Sequence, residues 1–188
     1  MQELVNIGVG HAASILNEIL DAPIRLQVPQ IKIVSPQELS RALEDQIGET
    51  LVSAMRLPFT GSLNGTALLI FPLESAAQLM AVVMREEIDL PDLDAVKRGI
   101  LSEVGNILLN SIMGEISNAL QQALRYAIPF YCEESAQNLL PGVEWKEETK
   151  ILLAQTHLAC ELLQITGEII LVFTVHSFDV LLSSLDMA

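Results

Sequence analysis

One stretch of sequence occurs twice in this chain and decides its fold. Residues 3–20 read ELVNIGVGHAASILNEIL, and residues 103–120 read EVGNILLNSIMGEISNAL. Both begin with Glu-x-x-Asn-Ile and continue with apolar residues at helical spacing. In each copy 22 residues separate the Asn from a proline, which is Pro29 in the first and Pro129 in the second. The displacement of 100 residues between the copies predicts two repeats of one structural unit.

The later parts of the chain extend this repeat. Residues 65–71 (GTALLIF) are similar to residues 167–173 (GEIILVF), now displaced by 102 positions. An amphipathic stretch follows each segment, at 75–84 and at 177–187. Two copies are too few for a solenoid. We therefore predict a single domain over residues 1–188, made of repeats at about 1–90 and 91–188.

The spacing of apolar residues predicts an α+β fold. Helical periodicity covers about 1–21 and returns at about 93–125. Alternating or β-branched segments bounded by turn residues predict strands. These lie at 24–35, 50–60, 64–72, 127–134, 149–162 and 165–175. Short turns between neighbouring strands favour antiparallel pairing, so we expect a largely antiparallel sheet with two long motif helices packed on it.

Composition limits the function classes. The formal charge of −14 repels phosphate backbones and anionic lipids, which argues against binding to nucleic acid or to a membrane surface. No apolar run is long enough for a membrane span, and no signal-like segment begins the chain, so we expect a cytoplasmic protein. The three histidines and two cysteines lack the spacing of metal ligands, and we predict neither a metal site nor a cofactor.

A helical wheel places the repeated polar residues on the exposed face of each long helix. Glu3 and Asn6 are neighbours there because residues three apart lie on one face. Ile7 also projects from this polar face, and Gly10 leaves bare backbone one turn further on. We interpret Ile7, Gly10 and the adjacent His11 as residues that contact a partner. A close neighbour, either a partner or the sheet, would also explain Gly8.

The second helix repeats this pattern with Glu103 and Asn106 on its exposed face. Ile107 and Asn110 are its predicted partner contacts. Glu115 falls within the apolar arc, and the sequence offers no reason for it. An asparagine amide is not a base near neutral pH, but it can donate to and accept from a water molecule and so fix its position. Such positioning is useful in phosphoryl transfer, where a glutamine orients the attacking water in GTPases.

These motifs resemble those of the CheC, CheX and FliY phosphatases of bacterial chemotaxis, and two copies in one chain are similar to two-site CheC. The resemblance implies hydrolysis of the aspartyl phosphate of a CheY-like receiver domain, with Mg²⁺ held by the receiver. It implies that Asn6 and Asn106 position the attacking water. Glu3 and Glu103 would pair with the active-site lysine of the receiver. CheD is a further partner in this family.

The resemblance also assigns a structural role to Pro29 and Pro129, and it has departures. The family pattern has Asp or Ser four residues before the Glu; Gly99 occupies this position in the second copy. In the first copy that position precedes the first residue, so we expect further residues upstream, or a longer protein that contains this domain. The alternative hypothesis is a binding module without catalysis, similar to the scaffold domains of the flagellar switch.

Overall fold

The computed structural model describes residues 2–48, 50–61, 63–84, 93–119, 121, 123–140 and 150–174. Their helices are α1 (Gln2–Leu20), α2 (Pro36–Ile47), α3 (Leu73–Met84), α4 (Leu93–Ala119) and a 3₁₀-helix, Ala136–Asn138. Their strands are β1 (Arg25–Leu26), β2 (Gln30–Val34), β3 (Val52–Gly61), β4 (Gly65–Pro72), β5 (Leu124–Tyr126), β6 (Phe130–Glu134), β7 (Ile151–Cys160) and β8 (Ile165–Thr174). None of the described helices is long and apolar enough to cross a membrane.

All eight strands join one antiparallel sheet, as the turn residues predict. The central strands lie in the order β7-β8-β4-β3. At one edge β1 and β2 both pair with β7, and at the other edge β5 and β6 both pair with β3. The sheet thus has matching edges on either side of the β4–β8 pair. The predicted α+β class is confirmed, while the assignment of two repeats stays a prediction.

Each edge of the sheet is broken at the proline that follows the motif. The sequence predicts one strand over 24–35, but β1 ends at Leu26 and β2 begins at Gln30, with Pro29 in the break. Pro129 lies in the corresponding break between β5 and β6. A proline has no N–H for the ladder and is tolerated at sheet edges. Its presence explains why a continuous edge strand was the wrong prediction.

The second long helix ends earlier than the sequence predicts. Helical periodicity suggests an end near 125, but α4 ends at Ala119 and residues 124–126 form β5. Gln121 has a φ of 53°, and Asp21, after α1, has a φ of 49°. A residue in this left-handed region commonly terminates a helix. The apolar residues that follow belong to the edge strand and not to the helix.

The sheet buries both of its faces. One face packs against α1, α3 and α4 in a core that includes Val9, Leu16, Leu109 and Ile112. The other face is covered by α2 and the 3₁₀-helix. Helix α3 confirms the amphipathic helix predicted at 75–84, whereas the one predicted at 177–187 lies outside the described residues. Both motif helices therefore lie on the same side of the sheet.

Helix α2 was missed by the sequence prediction, although its start carries a recognisable signal. Ser35 is the N-cap: its hydroxyl accepts from the Glu38 N–H, and the Glu38 carboxylate accepts from the Ser35 N–H. Pro36 occupies the first turn, where its missing N–H costs no hydrogen bond. The hydrogen bonds with Ser35 hold the pKa of Glu38 below its usual range. This Ser-x-x-Glu capping box predicts a helix start.

We expect Ser35→Ala to reduce the free energy of unfolding by about 1 kcal/mol, because it removes the N-cap acceptor of α2. Ser135→Ala is the matched control: Ser135 lies 100 residues later and precedes the 3₁₀-helix without a side-chain cap. Urea unfolding of both variants measures the difference. Equal losses would show that capping is not the reason for the effect.

Candidate functional site

The first site is formed by Glu3, Asn6, Ile7 and Gly10 on the exposed face of α1. The side chains of Glu3 and Asn6 are exposed, and Ile7 retains 47% of its accessible surface. The same helix buries Val5 and other apolar residues against the sheet and α4. Amphipathic burial thus fixes which way the motif faces. The structure confirms that these four residues are exposed, as the sequence predicts.

The second site is formed by Glu103, Asn106, Ile107 and Asn110 on α4. Glu103 is exposed and Ile107 retains 38% of its surface, whereas Asn106 and Asn110 are half-buried. The Asn110 side-chain amide donates a hydrogen bond to the carbonyl oxygen of the Asn106 side chain. Sequence reasoning predicted Asn110 as a partner contact and missed this hydrogen bond, which the i, i+4 spacing could have indicated.

A polar pair explains why Glu115 interrupts the apolar arc of α4. His11 Nδ1 of α1 and Glu115 Oε1 lie 3.0 Å apart, so the pair joins the two motif helices. The two side chains are 53% and 34% exposed. Partly exposed pairs of this kind contribute at most about 1 kcal/mol. His11, predicted as a partner contact, therefore has a partner within the chain and still presents half of its surface.

Gly8 is required by helix packing and not by the sheet. A Cβ at this position would lie 2.9 Å from the backbone oxygen of Ile112 on α4. The sequence predicts a partner or the sheet as the close neighbour of Gly8, but the close neighbour is α4. The glycine that does approach the sheet is Gly105, where a Cβ would lie 2.3 Å from the Met55 side chain of β3. A Cβ at Gly10 would meet nothing within 4 Å beyond its own helix backbone.

The two prolines predicted to be structural lie in well-anchored segments. The carbonyl of Pro29 accepts a hydrogen bond of 3.1 Å from the side chain of Gln2, at the start of α1. Next to Pro129, the ring of Phe130 lies 4.3 Å from the Arg56 guanidinium in a cation–π contact. Gln2 thus ties the first edge break to the helix that carries the first site.

The described cavities do not include the motif residues. One cavity of about 390 Å³ lies beside α2 and contains His157 and Glu168, whose Nδ1 and Oε1 atoms are 2.6 Å apart. A second, of about 280 Å³, contains Tyr131, and burial raises the pKa of Tyr131 to about 12. Small ligands are usually held in concave pockets. The motifs instead lie on exposed helix faces, which suits contact with a macromolecule.

No metal centre is apparent in the parts of the chain that the structure describes. There, no group of three or more His, Cys, Asp or Glu side chains converges in a metal-binding arrangement. Each site offers one carboxylate and one amide from the motif, Glu3 with Asn6 and Glu103 with Asn106. Such a pair can bind a cation of a partner and orient a water molecule.

Two glycines of α1, Gly8 and Gly10, differ in how a single added methyl group should act. We expect Gly8→Ala to destabilise the protein by about 1–3 kcal/mol, because its Cβ would press on the α4 backbone. Gly10→Ala is the matched control and should stabilise the free protein by up to about 1 kcal/mol, because alanine favours the helix and the position is open. Thermal and urea unfolding measure both. A stable Gly8→Ala variant would contradict the described helix contact.

Comparison with known proteins identifies the fold first. FliY of Thermotoga maritima superposes with a TM-score of 0.73 at 18% identity, covering 97% of this chain and 94% of FliY. The FliM middle domain of H. pylori gives 0.67 at 12% identity, covering 97% and 94%. CheX of Borrelia burgdorferi, crystallised with CheY, BeF₃ and Mg²⁺, gives 0.57 at 17% identity, covering 92% and 99%. The chain therefore has the fold that these chemotaxis and flagellar proteins share.

The sequence comparison adds a relative. No protein-family model matches the chain. The chain is 30% identical over 134 residues to the CheY-P phosphatase CheC of Bacillus subtilis strain 168. The match covers 69% of this chain and 62% of CheC, so the chain spans less than two thirds of the length of that relative. The chain is a CheC homologue with the fold that FliY and CheX share, as the motifs indicate.

Proposed function

We propose that this protein is a phosphatase that accelerates hydrolysis of the aspartyl phosphate of a CheY-like receiver domain. The observation that carries the proposal is the same Glu–Asn–Ile arrangement on the exposed faces of two helices, in a CheC homologue. The relative from Bacillus subtilis is named a CheY-P phosphatase, and the related CheX was crystallised with CheY. Motifs on helix faces that lie outside the described cavities suit a protein substrate.

In the proposed reaction the amide of Asn6 or Asn106 holds one water molecule in line with the phosphorus atom. The oxygen of this water forms a bond to phosphorus while the bond between phosphorus and the aspartate oxygen breaks. The products are inorganic phosphate and a free carboxylate, and the proton leaves to solvent or to the phosphate. The receiver supplies Mg²⁺, which neutralises the phosphoryl oxygens, so this chain needs no cofactor of its own.

The acidic residue of each motif has a separate role in the proposal. Glu3 and Glu103 are exposed, one turn before the asparagine, and free to meet a cation. A charge-assisted hydrogen bond to the active-site lysine of the receiver would hold the two proteins in register. Ile7 and Ile107 add an exposed apolar contact at the same place. We also propose a cytoplasmic location, where such receivers act, and CheD as a further partner.

Substitution of the two asparagines tests this mechanism. We expect Asn6→Ala combined with Asn106→Ala to abolish the accelerated decay of a phosphorylated CheY-like receiver in Mg²⁺, since no amide remains to position water. The control is Asn118→Ala, an exposed asparagine on α4 outside the motif, which should retain full activity. Phosphoryl loss is measured with catalytic amounts of protein. Full activity in the folded double variant would refute the assigned role of the asparagines.

The second candidate function is a binding module without catalysis. It is favoured by the similarity of the fold to the FliM middle domain, together with Gly99 in place of Asp or Ser four residues before Glu103. This function predicts that the chain binds a receiver or a switch protein and leaves the lifetime of the phosphoryl group unchanged. Wild-type protein that binds several phosphorylated receivers without accelerating their decay would support this candidate over the phosphatase.

A further inference from the structure

The two sites differ at the residue that lies one helical turn after each asparagine. In the second site this residue is Asn110, and its side-chain Nδ2 donates to the Oδ1 atom of Asn106. In the first site it is Gly10, which has no side chain and no neighbour within 4 Å of a built Cβ. The side chain of Asn6 is exposed, and no side-chain hydrogen bond joins it to another of the described residues. The same motif is therefore held in two different ways.

The hydrogen bond has a definite consequence for the Asn106 amide. Residues four apart on a helix are neighbours, and side chains lean toward the helix N-terminus, so the side chain of Asn110 is placed to reach that of Asn106. A donor on Oδ1 selects one of the two orientations of the amide plane, with Nδ2 turned away from Asn110. The second lone pair of Oδ1 and both hydrogens of Nδ2 remain available to a water molecule and a phosphoryl oxygen.

We propose that Asn110 is a positioning residue of the second site, which presets the amide plane of Asn106 before the partner arrives. This inference rests on the proposed phosphatase function and deepens it. The first site lacks this support, so Asn6 becomes ordered only when the receiver binds. The entropy cost of ordering an exposed side chain lowers the rate of dephosphorylation by about three- to tenfold. We expect the rates at the two sites to differ by this factor. Asn110 thus acts on the water through Asn106.

Variants of Asn110 in an Asn6→Ala chain, where only the second site remains, test the proposal. Asn110→Ala removes the donor and should lower kcat by about three- to tenfold with KM for the receiver unchanged. Asn110→Asp keeps the shape but replaces the donor with an acceptor, which draws Nδ2 of Asn106 toward it and turns the plane over. Its kcat should fall at least as far. Asn110→Gln keeps the donor and should recover most of the rate.

A change in KM alone would overturn the proposal, because Asn110 would then be a contact with the receiver. The proposal would also be overturned if Asn110→Ala and Asn110→Asp left kcat unchanged. An Asn6→Ala chain that is inactive, when the wild type is active, would overturn it as well. NMR of the side-chain amide of Asn106 in the free protein provides a readout that does not require activity. We expect its order parameter to fall in Asn110→Ala and to be retained in Asn110→Gln.

The two proposals can fail separately. If Asn110→Ala lowers the order parameter of Asn106 but the protein accelerates the decay of no phosphorylated receiver, the ordering of Asn106 by Asn110 is supported. The proposed phosphatase function is then refuted. If the order parameter of Asn106 is unchanged in Asn110→Ala and the protein is an active phosphatase, only the positioning role of Asn110 is refuted.

Discussion

The antiparallel pairing of β4 with β8 is the contact on which the other features depend. It runs from Gly65, opposite Phe173, to Ile70, opposite Glu168, and joins the two parts of the sheet. Because the strands on either side continue this sheet, α1 and α4 lie on the same face and pack together. Gly8 permits the close contact with the Ile112 backbone, and His11 and Glu115 add a polar link. The sites are therefore held by a rigid layer and not by loops.

This arrangement explains how a protein with few polar groups at each site could act on a phosphoprotein. A helix face presents a carboxylate, an amide and an isoleucine in fixed order, and the apolar face beneath them prevents rotation. A partner that brings its own metal and charges needs only an oriented water molecule and a point of attachment. The difference between Gly10 and Asn110 means that the two copies of the motif are not equivalent in structure.

Much of this architecture follows from the sequence, because helical and alternating periodicity report burial directly. Periodicity placed Glu3, Asn6 and Glu103 on exposed faces without any knowledge of the sheet, whereas Asn106, also predicted to be exposed, is half-buried. It failed after Ala119, because Leu124 continues the apolar spacing of a helix but belongs to the edge strand β5. Contacts between elements, such as Gly8 with Ile112, depend on packing and have no local signal. The capping box at Ser35 was a local signal and could have predicted α2.

The most direct test of the central claim is a structure of this protein bound to a CheY-like receiver in Mg²⁺, with beryllofluoride in place of the phosphoryl group. We expect the amide of Asn6 or Asn106 to enter the active site of the receiver, within about 3 Å of a water molecule in line with the beryllium atom. Glu3 or Glu103 should contact the receiver's lysine. A receiver bound through the α2 face or a sheet edge, with both asparagines in solvent, would contradict the account.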